Sequence, residues 1–343
     1  MVNLEDLKME AKRLLNDGTV KTIIGYTRDP NSMMSVPTFI RNAEDVGRLV
    51  WDPTCVYNLV RFLVDEKRKE KASPPEEKKP TGIILKGCDS RALVVLLQEE
   101  FLKREDVYIL GVSCENSGIV DQKKLLKKVS KKKVTKIQFE NDGKITVEAD
   151  GKKVKFAEQE LLADRCLECQ ANFPVIKDIA FGEEIKRSSE SPFGSIEKME
   201  ALSESERWDF WKDQFDKCIR CYACRSVCPM CYCEECVVDT IHYAVNADTP
   251  ADEKAQKIKW IEKSPVTSEN FVYHMVRAMH LAGRCIDCGE CERVCPVEIP
   301  IRLINKKLEK EAKELFDYEA GYDPEQPSLV SSYRDEDPED FIR

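Results

Sequence analysis

Two runs of cysteine carry the strongest chemical signal in this sequence. Cys218-x2-Cys221-x2-Cys224-x3-Cys228-Pro229 is followed by Cys285-x2-Cys288-x2-Cys291-x3-Cys295-Pro296, with identical spacing. Three thiolates at this interval wrap a loop over three corners of an iron–sulfur cubane. The helix that follows aims the fourth thiolate at the other cluster. The spacing therefore predicts one [4Fe–4S] cluster on Cys218, Cys221, Cys224 and Cys295, and a second on Cys285, Cys288, Cys291 and Cys228. Zinc is a poor alternative. Its structural sites use four ligands in two separated pairs and have no use for a third Cys-x2 step ending in Cys-Pro.

A third site is assembled from weaker signals. Cys166-Leu167-Glu168-Cys169 is a lone Cys-x2-Cys pair, and Cys88 and Cys114 each follow a short apolar run. A helix starting near Ser90 would turn its N-terminus toward that site and favour an anionic thiolate cluster. Spacing alone reads these four equally well as buried thiols that behave as small hydrophobes.

Four cysteines remain. Cys231, Cys233 and Cys236 crowd just behind Cys228, and Cys55 follows Trp51-Asp52-Pro53-Thr54. They form a candidate fourth cluster if two domains meet there; otherwise they are buried thiols or alternative ligands. Asp89, Ser90 and Arg91 beside Cys88 are either a helix cap with an ion pair or contacts to a flavin or cluster. The histidines, His242, His274 and His280, read as helix-face or core residues. No G-x-G-x-x-G follows a strand and opens a helix, so a standard dinucleotide fingerprint is missing.

These residues need elements to position them. Gly82 to Lys86 is an apolar run too short for a helix, Arg91 to Phe101 puts Leu93, Leu96, Leu97 and Phe101 on one helical face, and Val107 to Val112 is a second strand. A strand–helix–strand unit makes the two strands parallel with a right-handed crossover. Cys88 and Cys114 then leave the carboxyl ends of neighbouring strands, the edge at which open α/β sheets bind ligands. Upstream, Leu4 to Leu15 is a helix stopped by Gly18, Lys21 to Tyr26 is a strand, Asn42 to Val64 is helical apart from a break at Asp52-Pro53, and residues 69–80 are an exposed loop. A lysine-rich stretch from Lys123 to Lys136 is a solvated face or a surface for an acidic partner. The following KIQFENDGKITVEADGKKVKF alternates in period two around Asp-Gly turns and predicts a small hairpin or meander. The second half is helical: Trp208, Trp211 and Phe215 form a core stripe, and further helices cover Phe271 to Leu281 and Ile301 to Phe316.

The 343 residues suggest two or three domains, and 42% hydrophobic content is enough to bury a core. A net charge of −9 argues against general nucleic-acid binding, because a polyanion is repelled. No apolar run reaches the ~18–20 residues of a membrane span. The start, MVNLEDLKMEAKRLL, lacks the basic-then-apolar layout of a signal peptide. The expected location is the cytoplasm, where structural disulfides are improbable and cysteines serve as metal ligands, redox groups or core residues.

GCDSRAL, GVSC and CLECQANFPVIKDIAFGE, in that order, resemble the beta subunit of coenzyme F420-reducing hydrogenase and its relatives in formate dehydrogenases. The resemblance covers roughly residues 1–185. It implies one [4Fe–4S] cluster on Cys88, Cys114, Cys166 and Cys169, an FAD, and an electron-transfer role. Where deazaflavin-reducing members typically carry Thr-Pro-Cys, this chain has Gly87-Cys88-Asp89-Ser90-Arg91, a departure that argues against coenzyme F420 itself as substrate. The C-terminal half is similar to dicluster subunits that work beside heterodisulfide reductase.

The expected architecture is therefore an α/β flavin and iron–sulfur domain over residues 1–185, with a parallel strand–helix–strand unit. A linker over 186–205, an α-helical dicluster ferredoxin domain over 206–320 and an acidic tail over 321–343 follow. The expected function is electron relay between a flavin and a hydrogenase, dehydrogenase or heterodisulfide-reductase-like partner. Direct oxidation or reduction of coenzyme F420 is the alternative, and a metal-stabilised interaction scaffold is the alternative of another class.

Overall fold

The computed structural model describes residues 2–71, 79–114, 118–130, 134–140, 143–184, 191–233, 236, 238, 248–256 and 264–333. His242, Lys131 to Lys133, much of the loop 69–80, the start of the linker 186–205 and the end of the tail 321–343 lie outside the described residues. The chain divides into two units.

The first unit takes in Met1–Gly194, Ile286–Cys288 and Glu319–Arg334. Its elements are α1 (Leu4–Asn16), β1 (Thr22–Arg28), β2 (Ser35–Ile40), α2 (Val60–Lys71), β3 (Thr81–Leu85), α3 (Gly87–Gln98), β4 (Val107–Val112), α4 (Gln122–Lys128), β5 (Val134–Phe139), β6 (Lys144–Ala149), β7 (Lys152–Ala157), α5 (Glu158–Leu161), α6 (Asp164–Leu167) and β8 (Ile179–Phe181). The main sheet has the order β2-β1-β3-β4-β8, parallel throughout except for β2 at one edge. All five residues of β3 are buried, as a parallel strand covered on both faces should be. Leu7, Ala11 and Leu14 repeat at helical spacing along α1 and pack into the core with Ile23, Ile84 and Leu110. The predicted strand–helix–strand unit is β3-α3-β4. Its register pairs Thr81 with Val107 and Leu85 with Gly111, so both strands end at one level and Cys88 and Cys114 leave the same edge.

A separate meander of β5, β6 and β7 is antiparallel, as the period-two pattern predicts. Asp150 and Gly151 at the β6–β7 turn both have positive φ, 48° and 74°, which a two-residue turn of this hand requires. On α4, Lys124 bonds the Asp164 carboxylate at 2.6 Å and Lys128 the Glu160 carboxylate at 2.5 Å, so part of the lysine row is tied to this unit.

Two readings need correction. Asn42 to Val64 is not a broken helix: a 3-10 turn, Ala43–Arg48, gives way to irregular chain, and α2 starts only at Val60. The backbone there is diverted, since Val50 N–H donates to Tyr26 O and Thr54 N–H to the Asp52 carboxylate. The extended tail expected from residue 321 also begins as part of the fold, because Ala320 and Ser328 are buried in the first unit.

The second unit, built from Ser195–Cys285 and Gly289–Tyr318, is helical. It contains α7 (Gly194–Glu200, starting at the boundary), α8 (Glu204–Asp216), α9 (Ala223–Ser226), α10 (Ala251–Gln256), α11 (Thr267–Leu281), α12 (Glu290–Arg293) and α13 (Ile301–Phe316). α7 thus falls inside the span read as a linker. Phe215 is buried beneath Trp211, but Trp208 stacks on Phe271 while 59% exposed, so the expected aromatic core stripe is buried at one end only. Among the described residues, no helix is long and apolar enough to cross a membrane.

Candidate functional site

In the first unit the cysteine edge is built by close backbone approach. Gly87 opens α3 directly against the 171–173 segment: a Cβ there would stand 1.9 Å from Ala171 O, so only glycine fits. Cys88 follows in the first helical turn. Cys114, just beyond β4, donates its N–H to Asn172 O at 2.9 Å. The Cys166 sulfur on α6 accepts the Ile119 N–H at 3.4 Å, and Gly118 lies against the Cys166 side chain. The Cys169 sulfur accepts the Ala171 N–H at 3.3 Å. The strand-exit loop with Cys114 and the loop with Cys166 and Cys169 are therefore laced together at the edge where Cys88 starts its helix. Backbone N–H groups aimed at sulfur suit anionic thiolates.

Charge at this edge is buried. Burial and the neighbouring Asp89 carboxylate push the Cys88 thiol well up, against the opposing pull of Lys86 and Arg165, and Cys114 is close enough to raise it further. Lys86 Nζ, itself buried, donates to Asp89 Oδ2 at 2.8 Å, to the Tyr26 hydroxyl at 2.8 Å, and to Tyr57 O. Arg165 donates to Val56 O at 2.9 Å. The three residues considered for flavin contact have other work. Asp89 pairs with Lys86. Ser90 Oγ donates to Gly87 O at 2.7 Å and accepts the Val175 N–H at 2.9 Å. Arg91 donates to Ala320 O at 3.0 Å and to Ile286 O at 3.2 Å.

The two long cysteine motifs have the same local fold. Arg220 and Asp287 both have φ of 52°, and Tyr222 and Gly289 have 61° and 62°. Each pair occupies the same place in its Cys-x2-Cys-x2-Cys loop, and each loop runs into a four-residue helix, α9 or α12. Cys228 N–H bonds Arg225 O at 3.2 Å, as Cys295 N–H bonds Glu292 O at 3.3 Å. Left-handed backbone at two non-glycine positions of the first loop is costly, and its reuse at the same places in the second marks a shape set by the cysteines.

Cys224, Cys291 and Cys295 lie in one buried cluster with Phe215, Tyr273 and Ile299, and Cys218 and Cys236 pack against it. Cys295 is near enough to Cys218 and to Cys224 to raise both thiols, beyond the larger effect of burial. His274 is buried, held neutral down to a pKa of about 3 by that burial and by the cations Arg277 and Arg220. Its Nε2 stands 3.5 Å from the Cys218 sulfur. His274 is thus a core residue, as read, but one that touches the site.

Sequence reading passed over Arg277. Its guanidinium, on the buried face of α11, donates to Cys224 O at 2.9 Å, and its Nε has no hydrogen-bond partner. Cys224, Cys228, Cys231 and Cys291 all hold this cation charged against the cost of burial. A hydrogen bond from Cys228 and the Arg277 charge pull the Cys231 thiol down to about 7 despite its burial. A buried guanidinium needs an anion nearby, and thiolates on a cluster would supply it. Among the described residues, no three His, Cys, Asp or Glu side chains converge as they would around a single metal ion. The visible signal was a polar stripe, Asn270, His274 and Arg277, on the face of α11 that should have been apolar. Cys55 is fully buried in the first unit, its thiol driven up to about 12 by burial, whereas Cys231, Cys233 and Cys236 belong to the second unit.

Comparison with known proteins agrees with both halves. Residues 79–196 match the family model for the C terminus of the coenzyme F420 hydrogenase/dehydrogenase beta subunit, and residues 214–299 match the 4Fe-4S dicluster domain. The chain is 24% identical to the F420-dependent formate dehydrogenase subunit beta of Methanocaldococcus jannaschii, over 94% of this chain and 93% of that one. It is 26% identical to the F420-dependent formate dehydrogenase 1 subunit beta of Methanococcus maripaludis, over 93% and 91%. Likeness to a chain of the F420-reducing [NiFe] hydrogenase complex from Methanosarcina barkeri is slight, with a TM-score of 0.36 and 15% identity over 47% of this chain and 58% of that one. The chain thus carries one stretch that matches the C-terminal domain of the coenzyme F420 hydrogenase/dehydrogenase beta subunit and another that matches a 4Fe-4S dicluster domain, a combination that supports an electron-transfer subunit of an oxidoreductase.

Proposed function

We propose that the chain is the iron–sulfur relay subunit of a cytoplasmic formate-dehydrogenase-type complex. Three [4Fe–4S] clusters would be held by Cys218, Cys221, Cys224 and Cys295; by Cys285, Cys288, Cys291 and Cys228; and by Cys88, Cys114, Cys166 and Cys169. The observation that supports this most is Cys295 lying beside Cys218 and Cys224, because a crossed-over fourth ligand is what the spacing demands. Bound there, such clusters would each pass one electron at a time. The protein's own contribution is to supply thiolates, keep water out with Phe215, Tyr273 and Ile299, and hold Arg277 charged at the site. The formate-dehydrogenase partner follows from the names of the two relatives. No fourth cluster is assigned to Cys55, Cys231, Cys233 and Cys236: Cys55 is buried in the first unit and the other three belong to the second. FAD comes from the resemblance alone. Asp89, Ser90 and Arg91, whose side chains also bond within the chain, are its candidate contacts.

A second reading, direct electron exchange with coenzyme F420, is favoured by the names of the same relatives. Anaerobic purification tests the first: about 12 iron and 12 sulfide per chain with negligible zinc are expected. Stoichiometric zinc with little iron would overturn it. Bleaching of coenzyme F420 by the reduced chain alone would promote the second.

A further inference from the structure

We infer that the Asp89 carboxylate holds down the reduction potential of the centre at Cys88, Cys114, Cys166 and Cys169, with Lys86 fixing it in place; this rests on the relay reading above. The two residues flank Cys88 at the start of α3, Lys86 just before the helix and Asp89 in its first turn. Their side chains are 2% and 1% exposed, and Lys86 Nζ bonds Asp89 Oδ2 at 2.8 Å. The ammonium directs its other donors to the Tyr26 hydroxyl at 2.8 Å and to Tyr57 O. Tyr26 Oη in turn donates to Tyr57 O at 2.5 Å. Lys86 is thereby tied to β1 and to the chain ahead of α2, and it gives the carboxylate one orientation. In that orientation the other oxygen, Oδ1, stands 3.7 Å from the Cys88 sulfur.

A buried ion pair is a weak device for stability, since apolar side chains of similar volume often serve as well. Its place beside a cysteine ligand gives this one an electrostatic consequence. Lys86 and Arg165 act on Cys88 as cations and Asp89 as an anion, and the Asp89 effect is the largest of the three. Reduction adds one electron, and so one unit of negative charge, to the centre, with no bond made or broken. A carboxylate this close, with little water between to screen it, opposes that charge and lowers the potential. The role needs the charge rather than the hydrogen bond. An amide of the same shape, which can still accept from Lys86, cannot fill it.

The test compares Asp89→Asn, Asp89→Glu and the double variant Lys86→Met/Asp89→Asn with the unaltered full chain, all purified anaerobically. The centre is followed through its electron paramagnetic resonance signal, identified as the one that Cys166→Ser lacks, during a mediated titration with dithionite. Asp89→Asn should keep the full iron content. At a fixed potential it should shift the ratio of reduced to oxidised centre upward about tenfold or more, a rise of about 60 mV for a one-electron couple. Asp89→Glu, which keeps the charge, should shift it much less. The double variant removes both charges and should move the potential the same way by a smaller step. It also stands in if Asp89→Asn does not fold, because losing both partners of a buried pair is better tolerated than losing one. An unmoved potential in Asp89→Asn, or in the double variant where that one does not fold, would assign the pair to the fold alone and overturn the inference, leaving the relay intact. Loss of about four iron atoms from both variants would overturn it too, since the pair would then build the site rather than tune it. An unaltered chain without iron would overturn the relay reading itself.

Discussion

Arg277 is 6% exposed, and the thiols of Cys224, Cys228, Cys231 and Cys291 act on its guanidinium. Adding an electron to a cluster adds negative charge, and a buried cation favours that state because little water lies between them to screen it. Arg277→Met should therefore lower the reduction potential of a dicluster-domain centre by about 60 mV or more, a tenfold change for a one-electron couple. Iron content should stay the same. Redox titration followed by electron paramagnetic resonance would measure it, and an unmoved potential would show that the guanidinium serves only packing. In sequence Arg277 shows only as part of the polar stripe on α11, and the need for glycine at 87 does not show at all. Both roles depend on what comes close in three dimensions: four thiols in one case, the carbonyl of Ala171 in the other.

Among elements, those with a local cause were legible. β3 and β4 are short apolar runs flanking a one-faced helix, and their pairing follows from chain chirality. α13 spans the residues that periodicity marks, Ile301–Phe316. The segment before α2 was misread because its helical periodicity competes with a tertiary bond, Val50 N–H to Tyr26 O, that the pattern cannot reveal, and with a local turn in which Thr54 N–H bonds the Asp52 carboxylate. The third cysteine set belongs to this scale too, since two strand ends and one loop must meet to build it. Its sulfurs accept N–H groups from Ile119 and Ala171, and the loops are cross-bonded at Cys114 and Asn172. Cys166→Ser should therefore remove about four iron atoms and leave the signals of the two ferredoxin-type clusters intact. If iron and spectra are unchanged, these four cysteines are ordinary core residues.

At the scale of the whole molecule, the C-terminal region divides into two roles. Deleting residues 321–343 would take away Tyr322 and the carbonyls that Gln98 holds, so it would perturb the first unit as well as any docking surface. Deleting only 334–343 removes Asp335, Glu336, Asp337, Glu339 and Asp340 along with Arg334 and Arg343, and keeps Tyr322 and the carbonyls that Gln98 holds. Acidic stretches speed encounter with a complementary partner and favour one orientation, and the effect fades once salt screens it beyond about 8–10 Å. On the relay reading proposed above, electrons leave for another subunit, so docking matters. The shorter deletion should therefore leave iron content and melting temperature unchanged while weakening association with the proposed formate-dehydrogenase-type partner at low ionic strength. The difference from the full chain should shrink as salt is raised. Sedimentation of the reconstituted pair across a salt series would show it. Equal association at every salt concentration would assign the acidic end to solubility alone. A loss of iron would mean that it supports the fold.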